Sequence, residues 1–568
     1  MKKFSKIYKE NLHYIGIRKL LVIIGLVLMN NAFPVISSYI NKGVTESFID
    51  KMWIVGIGLV ALQVVMWIVT AVLNSYDQNI RQIANTRSEL HIKIAIRKKL
   101  CSFPVGFFET PQNLEMLNKA NRNNSIVYGS FRNVIGLIIL IPTAIAAIIP
   151  IIKLFPLVWI VLAVLFLINT IIAVKCSDVE YLQSVRSLES ERKRTYYRSL
   201  FYNNETMKEI KAYNLKDWLL SKYQKISKTI FKKAFKISVR NGLLTLLADV
   251  VSMLVKIFVW IYVGIQTLNG YISIGDCILF IGLWDSAIGA IEDIRNNILS
   301  LHRDKRDLKY LKEFMNYEIE ESNKSKLSPI ENIQFDNVSF AYPSNQDMNI
   351  LKNINVSFIK GNCYLILGEN GAGKSTLIKL ILNHFKPTNG SIKINKEYLL
   401  NDIDSLKVGY MSQEDIHFSM SLKDNIVFGS EYCEEKFKTS LEKAKLQDLV
   451  DELPLKENTL LGKAYDDGRE LSGGQWQRVS FARLLYNEND IIILDEPTAS
   501  LDPIAERNLY DEIKNIFSDK IVILISHRLS SVRIADQIVV MENGELKGIG
   551  NHSDLLADCK TYNKFMHV

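Results

Sequence analysis

Residues 1–300 carry six long apolar runs, at about 18–41, 52–74, 133–153, 157–175, 243–267 and 275–297. Each is close to the roughly 20 residues that a helix needs to cross about 30 Å of hydrocarbon. Inside a bilayer the backbone must satisfy its own hydrogen bonds, so runs of this length fold as helices. An α-helical membrane domain with six transmembrane helices is therefore predicted. The intervening segments alternate in character. Residues 76–132 and 176–242 are long, polar and rich in Lys and Arg, whereas 42–51, 154–156 and 268–274 are short and carry few charges. Lys and Arg keep flanking segments in the cytoplasm, which places both termini and the long segments on that side of a bacterial cytoplasmic (inner) membrane. The long segments are themselves helical in pattern. The spanning helices are thus expected to continue as long cytoplasmic extensions, turning near Phe107-Phe108-Glu109-Thr110-Pro111, where the proline breaks a helix, and near Lys208–Asn214.

The net charge of +9 could point to nucleic acid, but the basic residues cluster beside the apolar runs, so no nucleic-acid partner is expected. Residues 1–17 place Lys2, Lys3, Lys6 and Lys9 among Phe4, Ile7, Tyr8 and Leu12, the pattern of an amphipathic helix lying on membrane lipid. The first run is too long for the apolar core of a cleavable signal. Six scattered cysteines with no C-x-x-C pair indicate neither a disulfide framework nor a zinc site.

The chain changes character after a six-helix domain spanning 18–317 and a polar linker at 318–330. Residues 331–568 read as an α/β domain. Gly368-Glu369-Asn370-Gly371-Ala372-Gly373-Lys374-Ser375 fits G-x-x-x-x-G-K-[ST], between the strand-like Cys363–Leu367 and the helical Thr376–Leu380. Gly368, Gly371 and Gly373 let backbone N–H groups turn inward around phosphates at a helix N-terminus. Lys374 would reach the β- and γ-phosphates of ATP, and the Ser375 hydroxyl would bind Mg. A second buried strand, Ile491–Leu494, ends in Asp495, suited to the Mg shell, and Glu496, suited to activating water as a general base. A third, Ile521–Ile525, ends at Ser526-His527, which places His527 toward the γ-phosphate.

Residues 331–568 resemble the nucleotide-binding domain of ABC transporters, because Leu471-Ser472-Gly473-Gly474-Gln475 matches that family's signature. The resemblance implies further roles. Tyr342 looks like the aromatic that stacks on adenine, and Gln413 like the residue linking Mg to the membrane domain. Asp502, in Ala499-Ser500-Leu501-Asp502, looks like part of the loop that crosses a dimer interface. In such a dimer Ser472, Gly474 and Gln475 of one copy would meet the ATP held by Lys374 and Thr376 of the other. Every catalytic position is intact, which favours a homodimer over a heterodimer with one damaged site.

With the six runs ahead of it, the whole chain resembles exporter-type ABC half-transporters, with coupling regions at about 105–115 and 210–220. Gly468–Arg478, including Trp476, and Asp502–Glu506 look like bacterial exporters of ribosomally made, modified peptides such as lantibiotics. The first run starts near residue 18, so the N-terminal protease domain that some peptide exporters carry is not expected here. Export of lipid or a hydrophobic drug, siderophore import by the same fold, and a non-pumping nucleotide-gated channel or regulator are the alternatives. Within the runs, Asp249 and Lys256 share one helix face, and Asp285 and Glu292 share another. A charge at mid-bilayer costs on the order of 3 kcal/mol, so these four are expected to line a cavity as a candidate substrate path. Lys256 and Asp285 lie at similar depth and are candidates to pair.

Overall fold

The computed structural model describes residues 2–566 except 122–124, 155, 157, 318–328, 344, 346, 404–405, 414–415, 464 and 498–502. It divides into two compact units, Met1–Cys101 with Glu115–Tyr317, and Ser102–Leu114 with Glu318–Val568.

The first unit is helical. Its elements are α1 (Lys2–Ile15), α2 (Ile17–Ile49), α3 (Trp53–Cys101), α4 (Pro111–Ala120, shared with the second unit), α5 (Ile126–Leu154) and α6 (Val158–Arg186). They continue with α7 (Leu188–Leu200), α8 (Asn204–Ala212), α9 (Lys216–Leu268) and α10 (Ile274–Asn316). Six of these, α2, α3, α5, α6, α9 and α10, are long and apolar enough to cross a membrane. The apolar runs fix where each helix can enter a bilayer but not where it stops. α3 runs 49 residues and α9 runs 53, since nothing in their polar halves breaks a helix. α10 packs along α5 and α2, α2 along α3, and α6 along α9. Trp284, Phe280 and Leu283 of α10 are buried against Ala147 and Ile151 of α5.

The N-terminal helix is tied to protein as well as being amphipathic. Asn11 is fully buried and its amide donates to the Ser88 carbonyl at 3.0 Å, while the Ser88 hydroxyl donates back to Asn11 Oδ1 at 3.0 Å. Pro111 does not merely interrupt a helix: it is the first residue of α4, where its missing N–H costs nothing. Ahead of it, Val105–Glu109 forms a 3-10 turn with Phe107 buried and stacked on Phe103 at 4.0 Å.

The second unit is α/β. A four-stranded antiparallel sheet has the order β2-β1-β4-β5, with β1 Asn332–Phe340, β2 Leu351–Ile359, β4 Asn389–Ile394 and β5 Tyr398–Leu399. A six-stranded sheet has the order β10-β9-β3-β8-β7-β6, with β3 Cys363–Gly368, β6 Val408–Met411, β7 Ile491–Asp495, β8 Ile521–Ile525, β9 Gln537–Glu542 and β10 Glu545–Gly550. All its neighbouring pairs are parallel except β9–β10. The helices are α11 (Lys374–Ile381), α12 (Leu422–Val427), α13 (Glu434–Lys443), α14 (Gln447–Glu452), α15 (Gly473–Tyr486) and α16 (Pro503–Ile516), followed by two short helices near the C-terminus. Side chains alternate across a strand, so one core takes Ile366, Ile493 and Ile523 with α11, and the other takes Leu365, Leu494 and Leu524 with α15.

Candidate ATP site

Parallel pairing brings four strand ends to one edge. β3 ends at Gly368, β6 at Met411, β7 at Asp495 and β8 at Ile525, with Leu365 beside Leu524, Leu494 beside Met411 and Asp495 beside Ile525. Ligands of open α/β sheets bind outside these carboxyl ends. The glycine loop, Gln413, Asp495, Glu496 and His527 therefore converge although they are spread over residues 368–527.

The glycine loop needs its glycines for separate reasons. Gly371 and Gly373 hold φ of +85° and +99°, a region costly for L side chains. A Cβ on Gly368 would run into the Met541 carbonyl of β9. Lys374 folds back over the loop, its Nζ donating to the Gly368 carbonyl at 2.7 Å and the Glu369 carbonyl at 3.1 Å. Burial pushes the Lys374 ammonium below its ordinary value, and the carboxylates of Glu496 and Asp495 pull it part of the way back. Burial raises the Asp495 carboxyl, Glu496 raises it further, and Lys374 opposes both. Asn370 and Ser375 are exposed at the loop, and Thr376 is buried behind it.

Glu496 stands where β7 ends and the chain turns. Its N–H donates to the Ile525 carbonyl at 2.9 Å, and its φ is +52°, unusual for a residue with a Cβ. Its carboxylate accepts from Gln413 Nε2 at 3.2 Å and lies 3.3 Å from His527 Nε2. The structure thus joins Glu496 and His527, read from two strand ends, with Gln413, which the family resemblance implied. A positioning group escaped sequence reasoning. Buried Glu506 on α16 takes Arg528 and Ser530, both just after His527 in the chain. Nothing local in the sequence signals that role, which depends on α16 lying against the loop.

Tyr342 is half-buried. Its ring meets Phe385 at 5.4 Å, edge to face, its hydroxyl lies 3.2 Å from Thr376 Oγ1, and Lys379 Nζ sits 5.2 Å over the ring. Lys379 also pairs with Glu109 at 3.8 Å. Most of the coupling region expected at about 105–115 falls within Ser102–Leu114, which belongs to this same unit.

Ser472 caps α15 in a capping box. Its hydroxyl accepts from Gln475 N–H at 3.3 Å, and Gln475 Oε1 accepts from Ser472 N–H at 2.8 Å. Gly474 has open space where a Cβ would stand. Trp476 is 2% exposed and stacks on His417 at 4.3 Å with an interplanar angle of 4°. It packs the signature helix onto the segment that follows Gln413. Asp502 lies outside the described residues.

Of the four intramembrane charges, Lys256 Nζ and Asp285 Oδ1 meet at 2.6 Å, with the ammonium also 4.6 Å over the Trp260 ring. Asp249 and Glu292 are exposed and do not join that pair.

Comparison with known proteins places this geometry in a family. The ABC transporter family model matches residues 351–499. The chain is 30% identical to the subtilin transport ATP-binding protein SpaT of Bacillus subtilis over 554 residues, 94% of this chain and 89% of that protein. It is 28% identical to the nisin transport ATP-binding protein NisT of Lactococcus lactis subsp. lactis over 419 residues, 72% of this chain and 70% of that one. A solved bacterial Atm1-family ABC exporter with ATP bound superposes with a TM-score of 0.80 at 18% identity, covering 97% of this chain and 98% of that chain. The chain belongs to the ABC transporter family, as an ATPase-coupled membrane transporter. Its fold is that of an exporter, six candidate spans followed by the α/β ATPase domain.

Proposed function

We propose that the chain is a homodimeric exporter that hydrolyses ATP with Mg to move a ribosomally made, modified peptide out of the cytoplasm, with both termini on the cytoplasmic side. The observation that carries the hydrolysis is the Glu496 carboxylate, held at a strand end by Gln413 and His527. A carboxylate so held can take a proton from an attacking water while His527 faces the γ-phosphate. The site suits a divalent cation, because Asp495 is a half-buried carboxyl that Lys374 only partly offsets. Ser375, Gln413 and Asp495 would hold Mg, which neutralises phosphate charge when bound. Lys374, released from its own loop carbonyls, would take the phosphates. Tyr342 would offer a ring to the adenine.

The homodimer reading rests on α15. A glycine in a helix costs about 1 kcal/mol relative to alanine, yet nothing in this chain crowds Gly474. A requirement imposed by a partner's nucleotide accounts for it. The exposed apolar span of α9 offers surface to a second copy and to lipid. The peptide cargo rests on similarity over 94% of the chain to a relative named for subtilin transport and over 72% to one named for nisin transport. A second reading, export of a lipid or hydrophobic drug, is favoured by a cavity of about 500 Å³ between α5, α6 and α10, lined by apolar side chains such as Ile145, Phe166 and Ile294.

Inside-out vesicles supplied with labelled modified peptide test this directly. ATP should drive uptake by the wild type. Glu496→Gln should bind ATP but turn over about 100- to 10,000-fold more slowly. ATP-driven movement of labelled lipid with no peptide uptake would select the second reading.

A further inference from the structure

The cytoplasmic half of α9 is charged in one sign only. Between Leu219 and Asn241 it carries seven Lys and Arg, from Lys222 to Arg240, and no Asp or Glu. Other helices balance their lysines on the next turn, as in Lys93–Glu89 at 2.5 Å, Lys193–Glu189 at 2.6 Å and Lys208–Glu205 at 2.9 Å. Among the described residues, none of the seven cations of α9 forms an ion pair, and all seven are exposed. At about 100° per residue they fall within an arc of about 140°, bordered on one side by Tyr223, Ile226 and Ile230, which are partly buried. Phe231 and Phe235, 66% and 58% exposed and 5.7 Å apart, flank the edge of that face.

An anionic bilayer does not account for it. α9 is one continuous helix whose apolar run begins near residue 243, so the cations extend about 32 Å beyond the bilayer edge at about 1.5 Å per residue. Headgroup fields fade within about 8 Å at physiological salt, which leaves Arg240 in reach, Lys236 at the margin and the other five beyond it. A charged row that long, with a cation on nearly every turn and an aromatic edge, complements an extended polymer carrying carboxylates and apolar side chains. Resting on the peptide reading above, we propose that this face of α9 docks an acidic, amphipathic segment of the peptide cargo before transport.

The test uses the full-length protein in nanodiscs of zwitterionic lipid and a short labelled peptide alternating Glu and Asp with Leu and Phe. The wild type should bind it, more weakly as salt rises. Replacing Lys228, Lys232 and Lys236 together by Gln should weaken binding about tenfold, with basal ATPase unchanged. Reversing Lys225, Lys228, Lys232, Lys233 and Lys236 to Glu, which takes the face from +7 to −3, should abolish binding and create affinity for a Lys-rich counterpart peptide, a gain that misfolding cannot produce. Equal binding by wild type and variants overturns the proposal. So does preferential binding of single-stranded RNA, or a loss of dimer in the variants, which would make the face a contact between copies. Failure of the probe with peptide uptake intact in vesicles removes docking and leaves the functional reading standing. Transport of lipid in place of peptide removes both.

Discussion

At the scale of single residues, the site is a set of charges placed where water is scarce. Asp495 shows the consequence. Its folded carboxyl is raised by burial, so the folded protein favours the protonated form more than the unfolded chain does. The associated stability is fully present below the ordinary carboxylate range and lost as pH climbs through the raised folded value. Asp495→Asn should therefore raise the nucleotide-free Tm at neutral pH and flatten its pH dependence, while removing the stabilisation that Mg-ATP confers. Thermal unfolding of the full-length protein across pH, with and without Mg-ATP, measures both. Much of this site was legible as motif, since the P-loop spacing and the Asp495-Glu496 strand end name their own residues. What could not be read was conformation. The left-handed turn at Glu496 and the hold of Glu506 on the His527 loop come from strands and a helix distant in sequence.

At the scale of elements, apolar runs located the spans, but helix length was set by polar segments whose pattern carries no stop. Trp476 illustrates the other limit. Its position beside the signature suggested a cargo family, whereas in the fold the ring is buried on His417 and braces α15. The Lys256–Asp285 contact is a tie between α9 and α10, helices that otherwise touch little. Neutralising either partner leaves a lone charge at membrane depth, at a cost on the order of 3 kcal/mol where water is excluded and less where it enters. Asp285→Asn and Lys256→Gln should each lower the Tm, and the exchanged pair Lys256→Asp with Asp285→Lys should restore it. Unaltered Tm in both single variants, with weakened apparent affinity for cationic cargo in Asp285→Asn, would make Asp285 a cargo contact instead.

At the scale of the molecule, a site shared between two copies makes a prediction that a site within one copy does not. Lys374→Ala and Gly474→Asp should each inactivate the protein alone. When the two variants are mixed, about half the dimers pair one of each, and in those dimers one composite site keeps both an intact loop and an intact signature. Nucleotide trapping should return in the mixture. Its continued absence, with heterodimers confirmed by affinity tags, would place the whole site within one chain.

The unbroken length of α9 has a mechanical meaning as well. Its 53 residues contain no proline, in contrast to α2 with Pro34 and α5 with Pro142 and Pro150. A helix of that length is a rod of about 80 Å. Tilted by about 5° around one end, it carries the other end through about 7 Å, more than one helical turn. A small rocking at one end of it therefore arrives at the other as a large displacement, without any relay of side chains in between.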